Sequence, residues 1–360
     1  MLAKLLKSKS VGEKGLRHLV AWSVYTQLVQ YTVPRLLVGR KKASDACYDH
    51  VTKAMKLALV STYLHSIVKK YMLDQVNTML ANIRNVFRDV LKFSTWVTGD
   101  VRKIALRKLD SMKSYVGSPG QHLDAAFVEE LYRPFPDVPK DGLFPTWIKA
   151  ISLSSHYLWT DQTTMLYDET AVNAFYHINM NTIVVPTAII QRPFYFYDGP
   201  LALSYGGLGG DMGQTEEVEM VGDWSKVNVL SGEGRVEGGT VVSTVTLIKP
   251  WPRHQMLDDT LDSENLADFV GVRIAYHAFT SLSHRERTLT LAGLNISAER
   301  LFFISHCVKS CARYSRVTSE YAPYRSRCIV PLMNMPEFSN AFGCGAGQPM
   351  NPKKKCNFWS

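Results

Sequence analysis

Between Met72 and Leu91, apolar side chains fall at 72, 73, 76, 79, 80, 83, 86, 87, 90 and 91. Steps of three and four place them on one broad face of a 3.6-residue period. Such a helix must bury that face, so the chain is built on packed helices. Residues 43–70 carry the same pattern. A further helix is expected from a Thr98 cap through Val101, Ile104, Ala105, Leu109, Met112 and Val116, with Gly117 just past its end. The first 160 residues thus read as helical. Loops around one short helix at 124–132 are expected where Gly, Pro and Asp become frequent, from 118 to 144.

Strand character follows at Val172–Tyr176 and Thr182–Val185, and Pro186 and Pro193 break what comes next. Two more helices are expected at 259–282 and 297–314. From 331 the tail reads as loop with one helical turn near Phe338. The segment Asp211–Lys249 differs from all of these. It holds seven acids against two bases between 211 and 240, and its helical period fades beyond Gly213. It reads as loop with one strand at 240–248.

The chain has 360 residues, 46% of them hydrophobic, which suffices for a core and for two domains. No apolar run approaches ~20 residues, so no transmembrane helix is expected. The basic N-terminus MLAKLLKSKSVGEKG is too short in apolar residues for a secretory signal. The chain as written shows no anchor and no route out of the cytosol. Its net charge of +9 comes from bases scattered along helices, such as Arg102, Lys103, Arg107 and Lys108, which reads as solvated surface. No nucleic-acid-binding motif accompanies it.

Of the six cysteines, Cys47 stands apart, and Cys307, Cys311, Cys328, Cys344 and Cys356 crowd the last 54 residues. No C-x-x-C spacing supports structural zinc. Cys307 and Cys311 lie four apart on an expected helix beside His306. That spacing is open to a metal cluster and to buried or disulfide-bonded thiols.

Several ordered stretches carry a resemblance. They are Asn173-Ala174-Phe175-Tyr176, Tyr205-Gly206-Gly207-Leu208-Gly209, Glu264-Asn265-Leu266-Ala267-Asp268 and Pro336-Glu337-Phe338-Ser339-Asn340-Ala341-Phe342. Met350-Asn351-Pro352 and Lys355-Cys356-Asn357-Phe358-Trp359 close the chain. Together they resemble the C-terminal half of the neprilysin and endothelin-converting-enzyme family of zinc metallopeptidases, from about residue 18 to 360.

The resemblance implies a mainly helical fold with a small β element. Residues 1–160 would correspond to the end of the family's N-terminal domain with its interdomain helices. Residues 161–360 would form a thermolysin-like (gluzincin) catalytic domain with a divergent 210–255 segment. It also implies peptides or small proteins as partners, and a place at the extracellular face of the plasma membrane or in the secreted fraction, with membrane contact only through a family N-terminal anchor that this sequence lacks.

In that family zinc is held by the two histidines of His-Glu-x-x-His and by the first residue of Glu-x-x-x-Asp. Laid on this chain, the first motif becomes Gln214-Thr215-Glu216-Glu217-Val218. Gln214 and Val218 stand for the histidines and Thr215 for the catalytic glutamate. Glu264 matches the third ligand and Asp268 its outer partner. Tyr321 replaces the oxyanion histidine. Arg327 matches the substrate-gripping arginine, and Asn173 and Ala174 match the pair that hydrogen-bonds the substrate backbone. Gly210, Asp211, Lys309 and Ser310 fall where the specificity pocket is otherwise apolar or tryptophan-lined.

One carboxylate with one amide makes a poor zinc site, since zinc prefers imidazole and thiolate. The expectation is a member that holds no zinc and has lost catalysis. The alternative is an active zinc metalloendopeptidase of oligopeptides whose true sequence differs at 210–255. Without the resemblance, Glu264 and Asp268 would be an ordinary acidic helix face, Arg327 a loop arginine and Asn173 a turn residue. The family counterparts of Cys47, Cys311 and Cys344 pair with cysteines outside this chain. The partner of Cys356 would fall in 211–263, which has none. No family disulfide is therefore expected within the chain.

Overall fold

The computed structural model describes residues 11–32, 43–135, 143–215, 259–312 and 321–356. The expected strand at 240–248, and Glu216, Glu217 and Val218, lie outside the described residues. Helices α1 (Gly12–Thr32), α2 (Ala43–Ile67), α3 (Lys70–Phe93) and α4 (Gly99–Ser111) open the chain. Strand β1 (Lys113–Gly117) and helices α5 (Ala125–Tyr132) and α6 (Leu143–Thr160) follow. Then come β2 (Phe175–His177), β3 (Thr182–Pro186) and α7 (Leu201–Ser204). The remaining helices are α8 (Asp259–Thr280), α9 (His284–Arg287), α10 (Ala298–Val308), α11 (Tyr324–Met333) and α12 (Pro336–Phe342). Among the described residues no helix is long and apolar enough to cross a membrane.

The chain divides into two compact units. The first comprises Met1–Thr62 and Asp124–Thr163. Within it, the Asp124 carboxylate accepts from the backbone N–H of Ala126 and Phe127 and so caps α5. Phe127 meets Tyr157 edge to face, and Ala54 and Ala150 are buried.

The second unit, Tyr63–Leu123 with Thr164–Ser360, holds the main core. The periodic face of α3 buries Met72, Val76, Met79, Leu80, Ile83, Phe87 and Leu91. Each fully buried side chain of this size is worth about 1.5–3 kcal/mol. Helix α8 packs on α3. Tyr276 and Phe279 of α8 continue into a ring cluster with Phe302 and Phe303 of α10 and with Phe338 and Phe342 of α12.

Two expectations need correction. The helix from Thr98 ends at Ser111, five residues before Val116, and Gly117 (φ 105°) closes a strand instead of a helix. Lys113–Gly117 pairs in parallel with β3, and β2 pairs antiparallel on the other side, giving the order β1-β3-β2. The β-branched run Thr182-Ile183-Val184-Val185 is wholly buried and supplies the template. Asn181, in the left-handed region at φ 47°, fastens the corner. Its amide donates to Lys108 O at 2.8 Å and to Ser111 Oγ at 3.0 Å, while Tyr176 Oη donates to its Oδ1 at 2.7 Å. The expected helix at 297–314 is shorter than read, since α10 ends at Val308, and the helical turn expected near Phe338 is α12.

From α7 the chain runs helically to Thr215 through a π turn at Tyr205–Gly209. The glycines there permit close backbone contact. A Cβ on Gly206 would sit 2.1 Å from Phe302 O, and one on Gly207 would sit 2.3 Å from Phe194 O. Gly206→Ala must push α10 away, so it is expected to cost about 1–3 kcal/mol in urea unfolding. An unchanged midpoint would refute this packing.

Candidate functional site

Three elements of the second unit converge on one cavity of about 480 Å³. The helical run ending at Thr215 brings Asp211, Gln214 and Thr215. Helix α8 brings Glu264 and Asp268, which lie one turn apart on the same face. The segment from the end of α10 to α11 brings His306, Lys309, Ser310, Tyr321 and Arg327. Asn173 and Ala174, just before the edge strand β2, line the opposite side. The fold thus gathers Asn173, Ala174, Gln214, Thr215, Glu264, Asp268, Tyr321 and Arg327 around one space.

Hydrogen bonds knit the polar floor together. Gln214 Nε2 donates to Glu264 Oε2 at 3.0 Å. Arg327 grips Asp268 with two donors, Nε to Oδ2 at 2.6 Å and an Nη to Oδ1 at 2.8 Å. The same Nη reaches Gln214 Oε1 at 3.4 Å. Gln214 therefore bridges the two carboxylates, giving an N–H to one and receiving the guanidinium that holds the other. The Arg327 guanidinium also lies 4.6 Å from the Tyr321 ring centroid. Thr215 Oγ1 turns back to donate to Asp211 O at 2.7 Å. A threonine alcohol is too weakly basic to take a proton from a reacting water at neutral pH.

Burial pushes the Asp268 carboxyl above its ordinary range, and the hydrogen bonds and charge of Arg327 pull it back. Burial works against the Arg327 charge, yet Asp268 more than offsets it and holds the guanidinium above its ordinary value. His306, 4% exposed, is held well below the usual imidazole range by burial and then by the neighbouring Lys309 charge. It is neutral at physiological pH.

The side wall differs from the sequence reading. Asp211 and Lys309, each expected only to spoil an apolar pocket, pair directly, with Nζ 2.8 Å from Oδ1 and side-chain exposures of 18% and 10%. Lys309 Nζ also donates to Gly207 O at 3.3 Å. Room for this comes from Gly210, where a Cβ would lie 2.9 Å from Lys309 Nζ. Three substitutions that read as separate damage form one arrangement. The partnership joins residues 98 apart, and no local pattern announced it.

Cys307 and Cys328 form a disulfide. This settles the open reading of Cys307 against a metal cluster with Cys311 and His306. It also supplies a crosslink where none was expected from the family pairings. The bridge ties the end of α10 to the turn of α11 that carries Arg327.

Among the described residues, Gln214 and Glu264 together do not fit zinc, which prefers imidazole and thiolate. Among the described residues no group of three or more His, Cys, Asp or Glu is placed to hold a metal. At the matched positions, Gln214 turns an N–H donor toward Glu264. A donor facing the carboxylate occupies the direction a cation would need.

Comparison with known proteins agrees with this architecture. Two models, both described as Peptidase family M13, match the chain, one over residues 4–119 and the other over 173–217 and 246–358. The chain belongs to peptidase family M13, the neprilysin-like zinc metallopeptidases. Neprilysin-1 of Trittame loki is 26% identical over 354 residues, covering 89% of this chain and 49% of that protein. Membrane metallo-endopeptidase-like 1 of Mus musculus is 29% identical over 349 residues, covering 87% and 45%. The chain spans about half the length of the curated relatives it matches. Among solved structures, the open state of Mycobacterium tuberculosis zinc metalloprotease ZMP1 superposes with a TM-score of 0.66 at 18% identity, covering 92% of this chain and 55% of that one. The family match is interrupted at 218–245, a narrower block than the 210–255 over which the resemblance diverges.

Proposed function

We propose that this M13 family member holds peptides or small proteins in its cleft without hydrolysing them through a metal. The observation that carries this reading is the hydrogen-bonded floor. Gln214, Glu264, Arg327 and Asp268 hydrogen-bond to one another, at positions that the resemblance matches to the family's zinc site and its surroundings. Asn173 and Ala174 remain beside the edge strand, and Arg327 remains in the cavity wall, as elements that can engage a peptide backbone. The Cys307–Cys328 bridge favours an exported protein, since such bonds persist in oxidising compartments.

Native mass spectrometry of the folded chain incubated with zinc, followed by a broad oligopeptide panel, tests the reading. No stoichiometric metal and no chelator-sensitive cleavage are expected. One metal per chain together with chelator-sensitive products would overturn it.

A second reading is an active zinc metalloendopeptidase whose true sequence differs at 210–255. The interruption of the family match as one block at 218–245 favours it. Tyr321 and Lys309, both outside 210–255, weigh against it. Sequencing the transcript separates the two readings. A transcript that encodes Gln214-Thr215-Glu216-Glu217-Val218 removes the second.

A further inference from the structure

We infer that the Asp211–Lys309 wall makes the cavity selective for peptides presenting an uncharged carboxamide side chain, glutamine or asparagine, over those presenting an aliphatic one. The inference rests on the peptide-binding reading and names the class of peptide.

Both charged residues line the cavity, together with Ser310 and the apolar Ile189 and Phe194. An aliphatic side chain pressed on this wall would strip water from an ammonium and a carboxylate and return nothing. A lone anion would be drawn to Lys309 and repelled by Asp211, and a lone cation the reverse. A carboxamide carries a donor and an acceptor on one carbon, so it can address both ends of an ion pair without adding charge.

The pair has unused capacity for this. Lys309 Nζ has three N–H bonds, and Asp211 Oδ1 and Gly207 O take two of them. The Asp211 side chain is 18% exposed, and its Oδ1 has lone-pair capacity beyond the bond from Lys309, so a ligand N–H can address it. Ile189 and Phe194 offer contact to the methylenes that carry the amide. Asp211 and Lys309 therefore act as specificity residues, coupled through their charges to Asp268 and Arg327 of the polar floor.

The test is equilibrium binding of four acetyl-Ala-Xaa-Ala amides, Xaa being Gln, Leu, Glu or Lys, to the full chain and to the double variant D211V/K309V. Removing both charges leaves no lone buried ion, and circular dichroism confirms that the variant folds. The wild-type chain should bind the Gln peptide about tenfold or more tighter than the Leu peptide, and also tighter than the Glu and Lys peptides. The double variant should prefer Leu. Leu equal to or better than Gln in the wild type overturns the inference alone. So does a Glu or Lys peptide binding tightest, or a Gln preference that survives in the double variant. Failure of all four peptides to bind overturns the peptide-binding reading and carries this inference with it.

Discussion

Arg327→Ala is expected to destabilise the chain by about 3–5 kcal/mol, because it leaves the buried Asp268 carboxylate without its partner. The loss should also depend on pH. In the variant, Asp268 keeps the burial that raises its pKa and loses the hydrogen bonds and charge that lower it. Its folded pKa then stands well above its unfolded value of ~3.9. Between those two values the folded state binds more protons than the unfolded state, so stability falls as pH rises. The variant should therefore lose stability as pH rises from about 4 toward its raised folded pKa. Urea unfolding across that range measures it. Adding Asp268→Asn to the variant should flatten the pH dependence. A variant whose stability is independent of pH would mean that Asp268 is not held as described.

Opening the Cys307–Cys328 bridge is expected to cost about 3 kcal/mol. The two residues are 21 apart in sequence, and closing a loop of that order removes about that much chain entropy from the unfolded state. Cys307→Ala with Cys328→Ala should lower the urea midpoint, and dithiothreitol should lower the wild type to the same value. Cys311 and Cys344 are free thiols, so reduction of the wild type has no effect through them. If the reductant lowers the double variant as well, another bond is responsible. Because the bridge joins α10 to α11, the double variant should also weaken peptide binding through looser placement of Lys309 and Arg327.

What the sequence revealed follows the range of each interaction. Helix α3 was legible because its pattern is local: Met72, Val76, Met79, Ile83, Phe87 and Leu91 mark the buried face on their own. Strand β1 was not. Met112 and Val116 continue a helical spacing, and only the buried β3, some seventy residues on, turns Lys113–Gly117 into a strand. The cleft shows the same division. Gln214, Glu264, Asp268, Arg327, Asn173 and Ala174 could be placed by resemblance to a family whose motifs are contiguous. The hydrogen bond from Gln214 to Glu264 could not, nor the Asp211–Lys309 pair, nor His306 as part of the wall. Each depends on two or three distant segments meeting. Gly210 was legible as a change but not as the space that lets Lys309 turn inward.

The charged wall also constrains how such a chain can change. Asp211 without Lys309, or Lys309 without Asp211, leaves one largely buried ion in a cavity that Ile189 and Phe194 also line, a penalty of several kcal/mol for a fold with only ~5–15 to spare. A chain that carries this pair can therefore change either position at low cost only together with the other, although the two stand 98 residues apart.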